Sequence, residues 1–227
     1  MVKRILSFLF FILPFLCCAQ KNILPQKLAL SITPSVIPLP GEQPFGIQPG
    51  ILYQFNSRFS IFTGVTFHTG KKNDPDSSYF NKTYFRITPE LRYFLSGSHS
   101  GYRSYLGLQF SYSTRNFMSG YGFYYNHLPG DSVVYYDEAK VKSPILTTSI
   151  ELGCLISLTR SFMVDCSAGL GIRLIQTSYD EVINPQPSPK MQEIGGFRPF
   201  KSPSYYYEGS IQRFHLSWGL RFVYVLH

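Results

Sequence analysis

The feature that most constrains the fold is an alternation of apolar and polar residues with a period of two. It is clearest over Lys82–Leu95, where odd positions carry apolar residues such as Phe85 and Leu91, and even positions carry polar residues such as Arg86 and Arg92. Successive side chains of a β-strand point to opposite faces, whereas a helix would mix these residues on every face. The segment is therefore predicted to be a strand with one apolar face and one charged face.

The same alternation recurs along the chain in segments of roughly ten residues or more, the length of a tilted strand that crosses a membrane. The connections alternate between short turns, at Asn56–Arg58 and Thr159–Ser161, and long polar loops, at Ser119–Ser143 and Tyr179–Ile211. This pattern predicts an all-β fold, a single closed antiparallel up-and-down transmembrane barrel of eight strands. The predicted strands are Lys27–Leu39, Phe45–Phe55, Arg58–Gly70, Lys82–Leu95, Tyr102–Met118, Pro144–Thr159, Ser161–Ser178 and Gln212–Leu226.

Composition separates this barrel from a soluble β-sandwich, whose strands are shorter and whose outer residues are polar. Charged residues make up only 15% of the chain, and it contains 20 Phe and 17 Tyr. Such a composition suits a wall with one face toward lipid and one toward a narrow polar lumen. Aromatic residues near the predicted strand ends, with Trp218 among them, are expected to form interfacial girdles.

The N-terminus predicts a secretory signal peptide over residues 1–19, followed by a barrel domain over residues 20–227. Lys3 and Arg4 precede an apolar run that is too short to span a bilayer, and the run ends in small residues. Cleavage is expected after Ala19. Lipidation at Cys17 or Cys18 is an open alternative, although the small residues that normally precede a lipidated cysteine are missing.

The formal net charge of +8 does not indicate a nucleic-acid partner. The 21 Lys and Arg residues are spread along the chain instead of forming a basic tract, and an exported chain leaves the cytoplasm. Several of them fall at predicted turns, namely Arg58, Arg103 and Arg160, and others fall on the predicted lumen face. We expect solvated turn residues and interior ion pairs.

The last strand resembles the assembly signal of bacterial outer-membrane proteins at Ser217, Gly219, Phe222 and Tyr224, although the chain ends on Leu-His instead of an aromatic residue. Over the whole mature chain, the sequence resembles the outer-membrane β-barrel family of porin-like and OmpA-like small barrels. The resemblance implies the outer membrane of a Gram-negative bacterium, contact with its lipid and lipopolysaccharide, and insertion by the outer-membrane assembly machinery. It implies no particular surface ligand, since this family has many functions.

The predicted lumen face carries many charged residues. An eight-stranded barrel is narrow enough for side chains to fill it, and unpaired buried charges are costly. We therefore expect a buried network of ion pairs and hydrogen bonds, with a gated pore or proton path as the alternative reading. The residues concerned are Arg86, Glu90, Arg92, Glu151, Asp165, Arg173, Arg213, His215 and Arg221.

His215 and Ser217 are the only catalytic candidates that the pattern offers. A histidine base beside a serine nucleophile, oriented by Glu151 or Asp165, could hydrolyse an ester, as in lipid-modifying barrel hydrolases. Both side chains are predicted to face the lumen, however, away from a lipid substrate, and Ser217 also belongs to the assembly signal. We therefore expect no catalysis and no cofactor.

Cys154 and Cys166 fall on the predicted lipid-facing side of one hairpin, where they could lie directly opposite each other. A cross-strand disulfide is possible in an oxidising compartment, but neighbouring-strand geometry is poor for that bond. Two small lipid-facing residues are the favoured reading, and no metal site is expected.

These observations leave three functional hypotheses. The leading one is a structural or surface-interaction barrel whose long outer loops carry recognition, since loops on a rigid scaffold commonly bind ligands. The second is a narrow porin-like channel, and the third is the lipid-modifying hydrolase.

Overall fold

The computed structural model describes residues 28–40, 45–70, 78–95, 101–126, 132–188 and 206–226. The predicted signal peptide and the cysteines proposed for lipidation lie outside these residues. The strands are β1 (Leu28–Val36), β2 (Phe45–Gln54), β3 (Phe59–Gly70), β4 (Tyr79–Phe94), β5 (Tyr102–Asn126), β6 (Ser132–Ser157), β7 (Phe162–Ile183), β8 (Gln186–Ser188) and β9 (Tyr207–Val225). None of the described residues forms a helix long and apolar enough to cross a membrane.

Eight of these strands form a closed barrel. Strands β1 to β7 pair with their neighbours along the chain in antiparallel fashion, and β9 follows β7 in the wall. The wall closes where β9 pairs with β1, with Ala29 opposite Val225 and Ile32 opposite Phe222. The predicted closed up-and-down barrel of eight antiparallel strands is confirmed. Strand β8 lies outside the barrel wall and pairs only with the first residues of β6.

The outer surface of the barrel is a continuous band of exposed apolar side chains. On β9, Phe214 is 70% exposed and Trp218 is 81% exposed, and every other barrel strand contributes exposed apolar residues. From Leu146 on β6 to Leu158 directly after that strand, the band extends roughly 30 Å along the barrel axis at a rise of about 3.3 Å per residue and a tilt near 40°. Trp218 lies near the middle of the band rather than at its edge, which differs from the girdle prediction.

Above the band, the outward-facing positions become polar. Lys142 on β6, Gln176 on β7 and Gln212 on β9 are exposed and mark this boundary. Exposed polar residues beside an apolar band are the arrangement expected where a barrel wall leaves lipid and enters water.

The opposite end of the barrel carries tight turns and an apolar floor. The Asn56 side chain accepts hydrogen bonds from the backbone N–H groups of Arg58 and Phe59, at 2.8 and 2.9 Å, and Thr159 accepts one from Phe162 at 3.0 Å. Such side-chain to backbone bonds fix tight turns, and both predicted short turns are confirmed. The floor consists of Ala29, Leu52, Phe62, Leu155, Met163, Val223 and Val225.

Arg103 does not lie in a turn as predicted. It is buried inside β5, where its guanidinium donates to the Ser57 carbonyl and to Gln54, and lies 3.8 Å from the ring centre of Phe94. Arg103 is the first residue of β5 whose side chain points into the barrel. From that position its guanidinium reaches Ser57 in the turn between β2 and β3.

The prediction of a long loop over Ser119–Ser143 is wrong for most of its length. Strand β5 continues to Asn126 and β6 begins at Ser132, and antiparallel pairing extends from the barrel wall to Asn126 opposite Ser132. Strand β7 likewise continues to Ile183, and β9 begins at Tyr207, so part of the second predicted loop is also strand. We call these projecting parts of β5, β6, β7 and β9, together with β8, the extension.

The extension bends over the mouth of the barrel. The tip of β5 pairs in parallel with the start of β9, with Tyr125 opposite Tyr207, although β6 and β7 separate β5 from β9 in the wall. Such pairing is possible only if the β5–β6 hairpin curls inward across the opening. Stacked aromatic rings stabilise this contact. The ring centres of Tyr125 and Tyr207 are 5.0 Å apart, and those of Phe123 and Tyr206 are 5.4 Å apart.

Candidate functional site

A square of four charges crosses the lumen just above the apolar floor. Glu90 and Arg92 come from β4, Asp165 comes from β7, and Arg221 comes from β9, which stands directly across the barrel from β4. Arg92 contacts Glu90 at 2.9 Å and Asp165 at 2.8 Å, and Arg221 contacts Glu90 at 2.8 Å and Asp165 at 2.9 Å. Each carboxylate therefore contacts both cations, and the charges balance.

Aromatic rings enclose this charge square. The Tyr105 hydroxyl donates to Asp165 at 2.7 Å, and its ring centre lies 4.4 Å from the Arg92 guanidinium. The Phe62 ring lies 4.5 Å from the Arg221 guanidinium on the floor side. A guanidinium over an aromatic face is an additional attraction for a buried cation. Sequence reasoning missed Tyr105, although it shares the inward positions of its strand with Gly107 and Gln109.

The charge square is almost completely shielded from solvent. Glu90, Arg92 and Asp165 are each 1% exposed, and Arg221 is 4% exposed. Charges held this far from water are tolerated when ion pairs and hydrogen bonds satisfy them. The square and the floor therefore fill the lower half of the barrel as a polar layer on an apolar one.

Glu151 and Ser217 form a separate hydrogen-bonded group beside the charge square. Glu151 is buried and accepts hydrogen bonds from the hydroxyls of Ser149, at 2.7 Å, and Ser217. The Ser217 proton is thus directed to a carboxylate on β6 and not to His215 on its own strand. Among the described residues, no ion pair joins Glu151 to a cation.

His215 has a different partner from the one that catalysis would require. Its Nδ1 atom lies 2.9 Å from an Arg173 guanidinium nitrogen. Arginine can only donate, so Nδ1 accepts this bond and the neutral ring carries its proton on Nε2. The structure therefore places His215 and Ser217 on the same lumen face, two residues apart, without joining them as a base and a nucleophile.

Arg86 and Arg173 lie higher in the lumen, in a layer that differs from the charge square. Arg86 donates to the Ser35 hydroxyl, and its guanidinium lies 5.8 Å from the Tyr84 ring centre. Arg213 lies opposite Arg173 in the pairing of β7 with β9. Among the described residues, no carboxylate forms an ion pair with Arg86 or Arg173, and each of them forms a hydrogen bond to a neutral lumen group, Ser35 or His215.

The extension encloses a second core, built mainly from tyrosines. Tyr124 and Tyr179 stack with ring centres 4.1 Å apart, Tyr136 packs on Tyr179 at 5.8 Å, and the Tyr136 hydroxyl donates to Ser119 at 3.0 Å. Burial raises the pKa of Tyr124, Tyr136 and Tyr179, so these phenols stay protonated hydrogen-bond donors at neutral pH. The core is completed by Phe117, Val134, Ala139 and Val141.

A cleft of about 240 Å³ opens on the outside of the extension. The Asn184 amide donates to Asp137 at 2.7 Å and holds one wall in place. Tyr121 is 77% exposed and presents an unburied ring to the solvent at the rim. Aromatic rings beside carboxylate and amide groups can pack on an apolar ligand face while bonding to its hydroxyls. The lining residues are Tyr121, Tyr135, Tyr136, Asp137, Asn184 and Gln186.

The remaining predicted site residues lie on β9 and on the β6–β7 hairpin. Ser217 and Gly219 face the lumen, whereas Phe222 and Tyr224 face outward as part of the apolar band. Cys154 lies directly opposite Cys166, and both thiols are free. Within the described ranges, no three His, Cys, Asp or Glu side chains lie close enough together to hold a metal ion.

No protein-family model matches the chain, and no curated protein matches it in sequence. Function therefore has to be inferred from the geometry of the lumen, the outer band and the extension.

Proposed function

We propose that the protein is a non-enzymatic barrel of a bacterial outer membrane that recognises a surface ligand through its extension. The observation that supports this proposal is that one fold presents two distinct surfaces, an apolar band and a polar extension. An apolar band encircles the barrel, and directly above it stands an extension with its own core and a polar, tyrosine-lined cleft. A rigid barrel that presents a structured projection is suited to binding.

Outer-membrane insertion is supported by the inverted distribution of polarity. The exposed face is apolar, while the lumen holds buried charges and hydroxyls, the reverse of a water-soluble sandwich. The band would contact membrane lipid and lipopolysaccharide after export under the signal peptide. Insertion by the outer-membrane assembly machinery would use β9, where Ser217, Gly219, Phe222 and Tyr224 match the assembly signal.

Two measurements test this location. The folded chain in detergent should migrate faster on an unheated gel than after boiling, and cell fractionation should recover it with the outer membrane. Identical migration before and after boiling, together with solubility in the absence of detergent, would contradict a membrane barrel.

A passive structural role for the lower lumen is supported by the charge square, whose members are almost fully buried in the path that a narrow porin-like channel would need. In planar bilayers we expect no discrete conductance from the folded protein. Regular single-channel openings would favour the channel hypothesis instead. Asp165→Asn should not create openings in a sealed barrel, because Phe62 and the apolar floor lie directly below it.

For the ligand of the extension, the cleft favours a saccharide of the cell surface or of a neighbouring cell. A ring such as Tyr121 can pack on the apolar face of a sugar, and Asp137, Asn184 and Gln186 can bond to its hydroxyls. The cleft is large enough for about one sugar residue, so we expect weak binding to a single unit.

Glycan-array binding by the detergent-folded protein tests this assignment. We expect Tyr121→Ala and Gln186→Ala to reduce binding at least tenfold. The matched control is Gln176→Ala, an exposed glutamine outside the cleft, which should leave binding unchanged. Equal binding by all three variants, or no glycan bound by the wild type, would exclude the cleft as a saccharide site.

A further inference from the structure

The upper lumen contains two half-buried arginines, Arg86 and Arg173, that form no ion pair with any carboxylate of the described residues. Arg86 reaches in from β4, while Arg173 and His215 reach in from β7 and β9 on the far side of the barrel. Arg86 and Arg213 lie close enough to Arg173 to interact with it electrostatically. Like charges brought together in a lumen repel each other unless an anion lies between them.

Both arginines also have hydrogen-bond donors without a partner among the described residues. The Nε atoms of Arg86 and Arg173 are shielded from solvent and have no hydrogen-bond partner in the described structure. Each guanidinium carries five N–H donors, yet Arg86 makes its one hydrogen bond to Ser35 and Arg173 makes its one to His215 among the described residues. Buried donors in native proteins are normally paired, so such atoms require an explanation.

At the same level of the lumen, inward-facing side chains remain partly accessible to solvent. Residues in the charge square are almost fully buried, but several inward-facing side chains above it are only half-buried. Because these residues point to the inside of the barrel, their exposed surface belongs to an internal chamber. The half-buried residues that face this chamber are Arg86, Gln109, Ser111, Arg173, Arg213, His215 and Ser217.

We propose that this chamber binds a phosphate group, held between Arg86 and Arg173. The guanidinium groups of Arg86 and Arg173 and the Nε2–H of His215 supply hydrogen-bond donors and positive charge to this chamber. A phosphate carries a charge of about −1.5 to −2 at neutral pH, which matches this excess better than a monoanionic carboxylate does. Guanidinium groups also bind phosphate oxygens in a bidentate manner. This site is separate from the cleft of the extension and does not depend on a ligand there.

Isothermal titration of the full, detergent-folded protein with inorganic phosphate tests the proposal. We expect saturable binding that persists at constant ionic strength, whereas simple screening of charges would be reproduced by potassium chloride. Arg173→Gln and Arg86→Gln should each weaken binding at least tenfold. Arg58→Gln is the control, because Arg58 is an exposed cation at a turn on the far end of the barrel.

A second titration with glucose 1-phosphate separates two sources of the group. Binding of both ligands would indicate a phosphate carried on a larger molecule that reaches in from the mouth, and binding of inorganic phosphate only would indicate the free ion. Absence of phosphate binding to the wild type would overturn the proposal, as would unchanged affinity in both arginine variants that still show the faster gel migration of a folded barrel.

Discussion

The two halves of the lumen use the same residue types in opposite ways. In the lower half, Arg92 and Arg221 each contact two carboxylates, and the exposed fraction of every member of the charge square is below 5%. In the upper half, Arg86 and Arg173 are half-buried and form no ion pair with a carboxylate of the described residues. The arginines of the lower layer are therefore paired with carboxylates, whereas among the described residues those of the upper layer are bonded only to neutral groups.

The comparison separates two readings of a charged barrel interior. A layer whose charges balance requires no bound ligand, and substitution of its residues should reduce the stability of the fold. A layer with excess positive charge is held in place by the surrounding barrel wall. Substitution of its residues should weaken ligand binding more than it reduces the stability of the fold. Each variant below is chosen to change one layer while leaving the other intact.

The largest expected effect is that of Asp165→Ala in the charge square. The variant leaves Arg92 and Arg221 with one shared carboxylate in a buried site, which should cost about 3 to 5 kcal/mol of unfolding free energy. Urea unfolding of the detergent-folded protein measures it. Glu181→Ala is the control, because it removes a solvent-exposed ion pair with Lys140 and should cost less than about 1 kcal/mol. Equal losses of unfolding free energy in the two variants would show that the charge square stabilises the fold no more than a surface ion pair does.

A smaller effect is expected from Gly153→Ala, which tests the wall of the lower layer. A Cβ atom at Gly153 would lie 2.1 Å from the Tyr105 ring, which is fixed by its bond to Asp165. Displacing the ring should cost roughly 1 to 3 kcal/mol, the usual range for overpacking. Gly70→Ala, where the nearest atom is 3.5 Å away, should be close to neutral. If both substitutions were tolerated equally, Tyr105 would not be held as tightly as the distances indicate.

A substitution in the upper layer should change the stability much less than one in the lower layer. Arg173→Gln keeps a donor for His215 but removes one of the repelling cations, so in phosphate-free buffer its unfolding free energy should stay within about 1 kcal/mol of the wild type. Arg221→Gln, the matched change in the lower layer, should lose about 3 to 5 kcal/mol because it leaves buried carboxylates underpaired. Similar losses in both variants would remove the distinction between the two layers.

The sequence predicts the barrel well because its signal is local. Side chains of a strand alternate between faces, so the pattern around Arg86 and Arg92 identifies the lumen face without knowledge of any partner. Partner choice is not local. Arg92 and Arg221 share their carboxylates only because β4 and β9 stand across a closed barrel, a relation that no spacing along the chain reveals. The pattern therefore cannot separate Arg92, which is paired, from Arg86, which is not.

The extension was missed for a related reason. Around Tyr121 and Tyr136 the strands leave the apolar band, so their outward faces are polar and the simple alternation is lost. The tyrosines there pack against each other across β5, β6 and β7 and are not part of the apolar band. Aromatic and β-branched residues are typical of strands, and their density over Gly120–Val134 is the signal that could have predicted a long hairpin.

The smallest expected effect concerns the contact that closes the extension over the chamber. Glu208 lies opposite Asn126 in the parallel pairing, and burial, with the nearby charge of Asp180 as a second cause, raises its pKa. A carboxyl with a raised pKa in the folded state favours folding most below its ordinary pKa of 4.5, and this contribution is lost as the pH rises through the raised value. Glu208→Gln should therefore slow hydrogen exchange of the Tyr207–Gly209 amides at pH 8 but not at pH 4. Solvent screening limits the effect to below about 1 kcal/mol, or roughly fivefold in the opening equilibrium. Comparing the variant with the wild type at each pH cancels the intrinsic pH dependence of exchange, and a larger difference at pH 4 than at pH 8 would reverse the assigned cause.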